Sequence, residues 1–191
     1  MPQVVLGLGS NAHYKNMPPL EILAAASARL KRILEEALFS SVYETRPMYY
    51  ENQANFLNLV VSGAVSEAVS PLSLLEAVNG IEAEFGRDRS AEERFGPRPL
   101  DIDIEEYDTV TMDTERLTLP HPRMSERQFV LVPLLEILEE SADCNKREEI
   151  KKLVEKLPPQ GVVKSSDEVQ EKFTRLMNKY LQAQEMQFQR F

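Results

Sequence analysis

Lysine is missing from the middle of this chain: none falls between Lys31 and Lys146, yet seven of the 13 arginines lie between Arg87 and Arg127. Tryptophan is absent, and there are only one cysteine (Cys144) and two histidines (His13 and His121). A single thiol excludes an internal disulfide and fits a reducing, cytoplasmic compartment. One cysteine and two histidines do not make the usual zinc ligand set, and no Ser-His-Asp or Cys-His arrangement can be assembled. No stretch approaches the roughly 18 uninterrupted apolar residues of a membrane helix. The start, MPQVVLGLGSN, lacks the basic residues and long apolar core of a signal peptide. Gly7-Leu8-Gly9-Ser10 has neither the G-x-G-x-x-G nor the Walker spacing, so it reads as a turn glycine pair that places Asn11 at a sheet end.

What is present is an acidic chain of 191 residues, long enough for one substantial domain, with 22 basic against 31 acidic residues and a net charge of −9. Residues 139–191 hold ten of each sign, so the whole net charge sits in the first 138 residues. A polyanion-binding protein needs a basic footprint, and this one has none in bulk, which disfavours a nucleic-acid partner. An acidic domain that nevertheless gathers arginines is the feature to explain.

Hydrophobic spacing predicts a strand over Gln3–Leu8 and a helix opened by Pro18-Pro19 that runs to about Leu38. Further strands follow at Phe39–Thr45 and Phe56–Val65. Ser70-Pro71 caps a second helix, which ends at Gly86. Leu100–Tyr107 alternates cleanly, with Leu100, Ile102 and Ile104 on one face and Asp101, Asp103 and Glu105 on the other. Gln128–Leu138 reads as helical. The order βαββαβ implies an α+β fold with a mostly antiparallel sheet and helices packed on it. The division is a domain over 1–140 and a helical extension over 141–191. In the extension, Lys146–Leu157 and a stripe of Val169, Phe173, Leu176, Met177, Tyr180 and Leu181 keep helical spacing; the stripe docks on its own domain or, alternatively, on a second copy.

Asp101-Ile102-Asp103 is the strongest local signal. On a strand both carboxylates project from one face, and hard oxygen ligands so placed suit Mg²⁺, which takes one or two carboxylates beside phosphate oxygens and water. An isolated D-x-D is more often a solvated strand face. Here Arg87, Arg89, Arg94 and Arg98 precede it, and Arg116, His121, Arg123 and Arg127 follow. A guanidinium forks two hydrogen bonds onto phosphate and keeps its charge, so the constellation fits a metal-bound polyphosphate; arginines paired with glutamates such as Glu92 and Glu93 are the competing reading.

Six segments together resemble the 6-hydroxymethyl-7,8-dihydropterin pyrophosphokinase family of folate biosynthesis. They are Leu8-Gly9-Ser10-Asn11, Tyr43–Pro47, Asn55–Asn58, Arg94–Ile104, Thr118–Pro122 and Arg127–Phe129, in the family's order over roughly residues 3–138. The resemblance implies a ferredoxin-like βαββαβ scaffold and transfer of pyrophosphate from ATP to the pterin hydroxymethyl group, with two Mg²⁺ ions and release of AMP. It makes Asp101 and Asp103 metal ligands, Asp101 also touching the pterin, and Arg87 and Arg98 the catalytic arginines. Glu82, Arg89, Arg98, Ile104, Arg116, Thr118, His121 and Arg127 fall on the ATP side. Thr45, Pro47, Met48, Phe56, Asn58 and Phe129 fall on the pterin side, Phe56 and Phe129 sandwiching the ring. The loop from Arg87 to Gly96 is one residue longer than the family pattern, and Phe95 and Phe56 replace a tryptophan and a tyrosine. The partners implied are ATP and the pterin, with neither nucleic acid nor membrane, and a monomer rather than a homodimer. Two other classes compete: a two-metal nucleotidyl transferase, which shares the D-x-D strand, and a non-catalytic pterin- or nucleotide-binding module.

Overall fold

In the computed structural model, which describes residues 1–47, 52–88, 96–139 and 143–188, the apolar N-terminal run becomes β1 (Gln3–Ser10), an interior strand of the main sheet. Helix α1 (Pro19–Leu30) begins on a proline whose missing N–H costs nothing in a first turn. Next come β2 (Glu35–Phe39), β3 (Tyr43–Thr45) and β4 (Phe56–Ala64). Helix α2 (Pro71–Glu84) is capped by Ser70, whose hydroxyl accepts from Ser73 N at 3.1 Å. Strand β5 (Asp101–Tyr107) precedes a small hairpin, β6 (Met112–Asp113) with β7 (Thr118–Leu119). Helix α3 (Gln128–Glu139), helix α4 (Cys144–Lys156), strand β8 (Val163–Lys164) and helix α5 (Asp167–Phe188) complete the chain.

The main sheet is antiparallel throughout, in the order β5-β1-β4-β3-β8, with β2 also on β4. The protein is thus α+β. Because side chains alternate along β1, Val4, Leu6 and Leu8 enter one core and Val5 another. The first core lies beneath α1, α2 and α5; the second lies beneath α3 and α4, with Val60, Leu131, Leu134 and Ile150. Among the described residues no helix is long and apolar enough to cross a membrane.

The structure departs from the sequence reading in four places. The glycines at 7 and 9 lie inside β1 rather than in a turn. Helix α1 stops at Leu30, not near Leu38: Leu34 and Leu38 keep helical spacing, but pairing of β2 with β4 overrides it, through an irregular register between Glu35 and Leu38 and a positive φ of 52° at Glu36. The single strand expected at Phe39–Thr45 is broken into β2 and β3. At the break, Ser40 Oγ accepts from Val60 N at 3.0 Å, a side chain standing in for a ladder partner. The extension supplies strand β8 as well as helices, pairing Val163 with Glu44 and Lys164 with Tyr43. Gly86, expected to close α2, has φ +82°, and a Cβ there would come within 2.2 Å of the Tyr14 ring.

The extension is docked on the domain, as its apolar stripe predicts. Phe173 is only 5% exposed and Met177 9%; both join the core under α1, and Tyr180 Oη donates to Glu21 Oε1 on α1 at 2.7 Å. That bond and burial push the tyrosine pKa up to about 12, burial first. Phe173→Ala should therefore destabilise the protein by about 3 kcal/mol in urea titration, the scale of a buried aromatic truncation. A loss below about 0.5 kcal/mol, the range of surface substitutions, would mean that α5 is not docked.

Candidate active site

The sheet face that carries Val5 and Val60 is covered by α3 only in part. Beyond the helix, the same face presents Gly7 and Gly9 of β1, Phe56 and Asn58 of β4, and Asp101, Asp103 and Glu105 of β5. The register sets them side by side: Gly9 lies opposite both Asn58 and Asp101, and Gly7 opposite Asp103. Both glycines are needed for space rather than for turning. A Cβ on Gly9 would stand 2.9 Å from Asn58 Oδ1, and one on Gly7 would stand 3.0 Å from Glu105 Oε1. The strand is stripped of side chains so that its neighbours' polar groups fit above it, and the result is a cleft of about 220 Å³.

The cleft has two ends of different chemistry. At one, Thr45, Arg46, Pro47, Phe56, Asn58 and Phe129 make a half-apolar slot. Asn58 Nδ2 donates to Thr45 Oγ1 at 2.7 Å, fixing a buried amide in one orientation. Asn11 closes the adjoining rim: its amide donates to Gln53 Oε1 at 2.9 Å, and its Oδ1 accepts from Arg98 N at 2.8 Å. One asparagine thereby ties the end of β1 to both flanking loops.

At the other end the carboxylates and arginines meet. Arg87 Nη1 and Arg98 Nη2 each reach an oxygen of Asp101 at 2.9 Å, and Arg127 Nη1 holds Asp103 Oδ2 at 2.8 Å. Arg87 also donates to Leu100 O at 2.9 Å, so its head is located by backbone as well as by charge. The guanidiniums of Arg98 and Arg127 lie 5.3 and 5.5 Å from the ring centroids of Phe56 and Phe129, linking the two ends of the cleft by cation–π contact. Three arginines around two carboxylates leave a net positive site inside an acidic domain. Among the described residues no group of three or more His, Cys, Asp or Glu is set to hold a metal. Two hard carboxylates with room beside them fit Mg²⁺, whose remaining ligands are substrate phosphates and water.

Glu105, next along the same face, went unremarked as a site residue from sequence. Its side chain is 1% exposed, and among the described residues neither carboxylate oxygen has a hydrogen-bond partner. Arg127 Nη1 comes only to 3.8 Å and His121 Nδ1 to 3.7 Å, beyond bonding reach. Burial first, and then the charge of Asp103, push its pKa up to about 8 against the opposing pull of Arg127. Burial also lowers the His121 pKa, Asp103 opposing and Arg127 assisting. The available signal was a third carboxylate two residues beyond the D-x-D.

Of the residues singled out from sequence, Thr45, Pro47, Phe56, Asn58, Arg98, Asp101, Asp103, Arg127 and Phe129 all line the cleft, and Arg87 joins it through Asp101. His121 stands beside Glu105, its backbone N–H donating to the Glu105 backbone carbonyl at 2.8 Å. Glu82 is buried beneath β5, its Oε1 accepting from Ile102 N at 2.8 Å, and Ile104 points into the opposite core. Arg116 pairs with Glu76 at 3.0 Å on an exposed surface, and Thr118 donates to Asp113 at 3.0 Å. Met48, Arg89, Arg94 and Phe95 lie outside the described residues.

Comparison with known proteins matches residues 5–139 to the model of the 7,8-dihydro-6-hydroxymethylpterin-pyrophosphokinase family. A 2-amino-4-hydroxy-6-hydroxymethyldihydropteridine pyrophosphokinase of Bacillus subtilis is 48% identical over 101 residues, 53% of this chain and 58% of that protein. The protein of the same name from Aquifex aeolicus is 40% identical over 139 residues, 72% of this chain and 81% of its own. Among solved structures, the wild-type HPPK-DHPS of Plasmodium falciparum with pteroate superposes with a TM-score of 0.59 at 17% identity, covering 81% of this chain. That likeness is one of fold, and the match spans 44% of the Plasmodium chain.

Proposed function

This chain belongs to the 7,8-dihydro-6-hydroxymethylpterin-pyrophosphokinase family, and we propose that it transfers the terminal pyrophosphate of ATP to the hydroxymethyl group of 6-hydroxymethyl-7,8-dihydropterin, releasing AMP. The observation that carries the reading is the pairing of Asp101 and Asp103 with Arg87, Arg98 and Arg127 at the mouth of a slot walled by Phe56 and Phe129. A flat heteroaromatic ring favours aromatic faces above and below it, with a few polar groups to fix its orientation. Asn58 and Thr45 offer those groups at the slot's edge. The strand order β5-β1-β4-β3, with its two crossing helices, supports a ferredoxin-like scaffold over residues 1–140.

Within the site Asp101 and Asp103 would hold two Mg²⁺ ions, which bring ATP's phosphates to the carboxylates and neutralise their charge. The remaining work falls to the protein. Arg87, Arg98 and Arg127 now spend their charge on the two aspartates; once those are engaged otherwise, Arg98 and Arg127 turn to phosphate oxygens and hold the transferring group, while Arg87, held by Leu100 O, keeps its charge beside them. Phe56 and Phe129 hold the ring so that its hydroxymethyl oxygen faces the phosphoryl group, and the attack proceeds in line with departing AMP. Asp101, nearest the slot, accepts a hydrogen bond from that hydroxyl. Glu82 supports the site by fixing Ile102 between the two aspartates, and His121 lies on the nucleotide side. The exposed free thiol of Cys144 supports work in the reducing cytoplasm.

Turnover of the pterin with MgATP tests the reading, with AMP and pterin pyrophosphate as the diagnostic products. Formation of ADP instead, or binding without turnover, would overturn it. Salt-sensitive binding of DNA would favour a nucleotidyl transferase.

A further inference from the structure

The stretch beyond residue 139 lies outside the family match, yet it reaches both walls of the cleft. Helix α4 ends before Pro158-Pro159, which cannot continue a helix and direct the next residue back toward the start of α3. There Gln160 bonds three times. Its Oε1 accepts from Gln128 N at 2.8 Å, its backbone N–H donates to Gln128 Oε1 at 3.0 Å, and its Nε2 donates to Glu126 O at 2.8 Å. The residue between those two partners is Arg127.

Arg127 occupies a point where the chain has little support of its own. A single 3-10 turn (Met124–Glu126) ends there, and the Arg127 carbonyl opens α3 by accepting from Val130 N and Leu131 N. The first N–H groups of a helix have no partner within it. The Gln160 carboxamide, 32 residues away in sequence, satisfies the first of them and clamps the carbonyl on the other side of Arg127. The same segment then passes Arg46, with Gly161 beside its side chain, and pairs β8 to the strand that carries Thr45. Lys164 anchors it by donating to Glu136 at 2.8 Å.

We propose that Gln160 is a positioning residue for the reaction: by bridging residues 126 and 128 it fixes the wall that presents Arg127 to the phosphates and Phe129 to the pterin. The extension is therefore part of the site's construction. This rests on the function proposed above, and the experiment separates the two. Gln160→Ala keeps the backbone bond to Gln128 and removes the other two. It should raise KM for ATP and for the pterin by about tenfold while kcat stays within about twofold. Gln160→Glu retains the acceptor for Gln128 N but sets a carboxylate oxygen against Glu126 O, so it should recover little of the loss. A merely structural role would lower melting temperature and active fraction with KM unchanged, and that result overturns the proposal. Amide exchange at residues 126–131, measured without ligand, should quicken in Gln160→Ala; unchanged exchange overturns the clasp whether or not the wild type makes AMP. Absence of AMP from wild-type enzyme, with quickened exchange in the variant, would instead overturn the function alone. If Gln160→Ala does not fold, Gln160→Asn, one methylene too short to bridge both partners, carries the same measurements.

Discussion

Asp103→Ala is expected to lower kcat/KM by roughly a thousandfold or more, the scale on which loss of one preorganised electrostatic group acts. Two effects converge on that figure. The variant loses one of two carboxylates able to share a cation with the substrate's phosphates. It also releases Arg127, whose Nη1 holds Asp103 at 2.8 Å and has Glu105 at 3.8 Å as its next acceptor. Deprived of Asp103, the guanidinium retracts toward Glu105, away from the mouth of the cleft. The Mg²⁺ concentration for half-maximal rate should rise along with the loss of turnover. Asp103→Asn, which keeps an acceptor for Arg127 but no charge for a metal, should be nearly as inactive. The fold should survive, because removing Asp103 relieves repulsion on the buried Glu105 rather than opening a cavity in the core. Steady-state kinetics across a Mg²⁺ titration, beside a thermal melt, reads all three. Turnover within about tenfold of wild type in a folded protein would remove Asp103 from the metal role.

The parts of this site that were legible in the sequence are those where chemistry and backbone period coincide. Asp101 and Asp103 could be placed together because a strand repeats every two residues, and Arg87, Arg98 and Arg127 stood out against a lysine-free background. The two phenylalanines of the slot were not legible that way. Phe56 and Phe129 lie on a strand and a helix far apart in the chain, and only the resemblance joined them. Gly7 and Gly9 misled, because glycine's commonest use is in turns, whereas here the missing side chains make room for Asn58 and Glu105. The boundary of α1 misled for a related reason: Leu34 and Leu38 fit either period, and only the partner strand β4 decides between them. Gln160 was invisible altogether. A glutamine after two prolines carries no local signal, and its meaning lies in a helix terminus 32 residues back.

Glu105→Gln should make the protein more stable, by a margin that widens with pH. The carboxyl sits at about 8 in the folded chain against an ordinary value of 4.5, raised by burial first and by Asp103 second. The folded state thus holds this proton more tightly than the unfolded state does. Below about pH 4.5 both states carry it, and Glu105 adds no pH-dependent cost. As pH climbs from there to about 8, the unfolded chain releases the proton freely while the folded one must either keep it or bury a charge, so stability falls. Above that range the full penalty persists, on the order of a few kcal/mol. Glutamine has nearly the same shape and no charge to bury, so the variant should match wild type near pH 5 and melt several degrees higher at pH 9. Melts run in EDTA keep any cation off Asp103 and leave the repulsion as the structure has it. Parallel pH profiles for the two proteins would mean that Glu105 has a partner in solution. A widening gap would show that a carboxyl opposed by burial is tolerated here, two residues from the proposed metal-binding pair. Stability given up beside such a site is consistent with selection for function over stability.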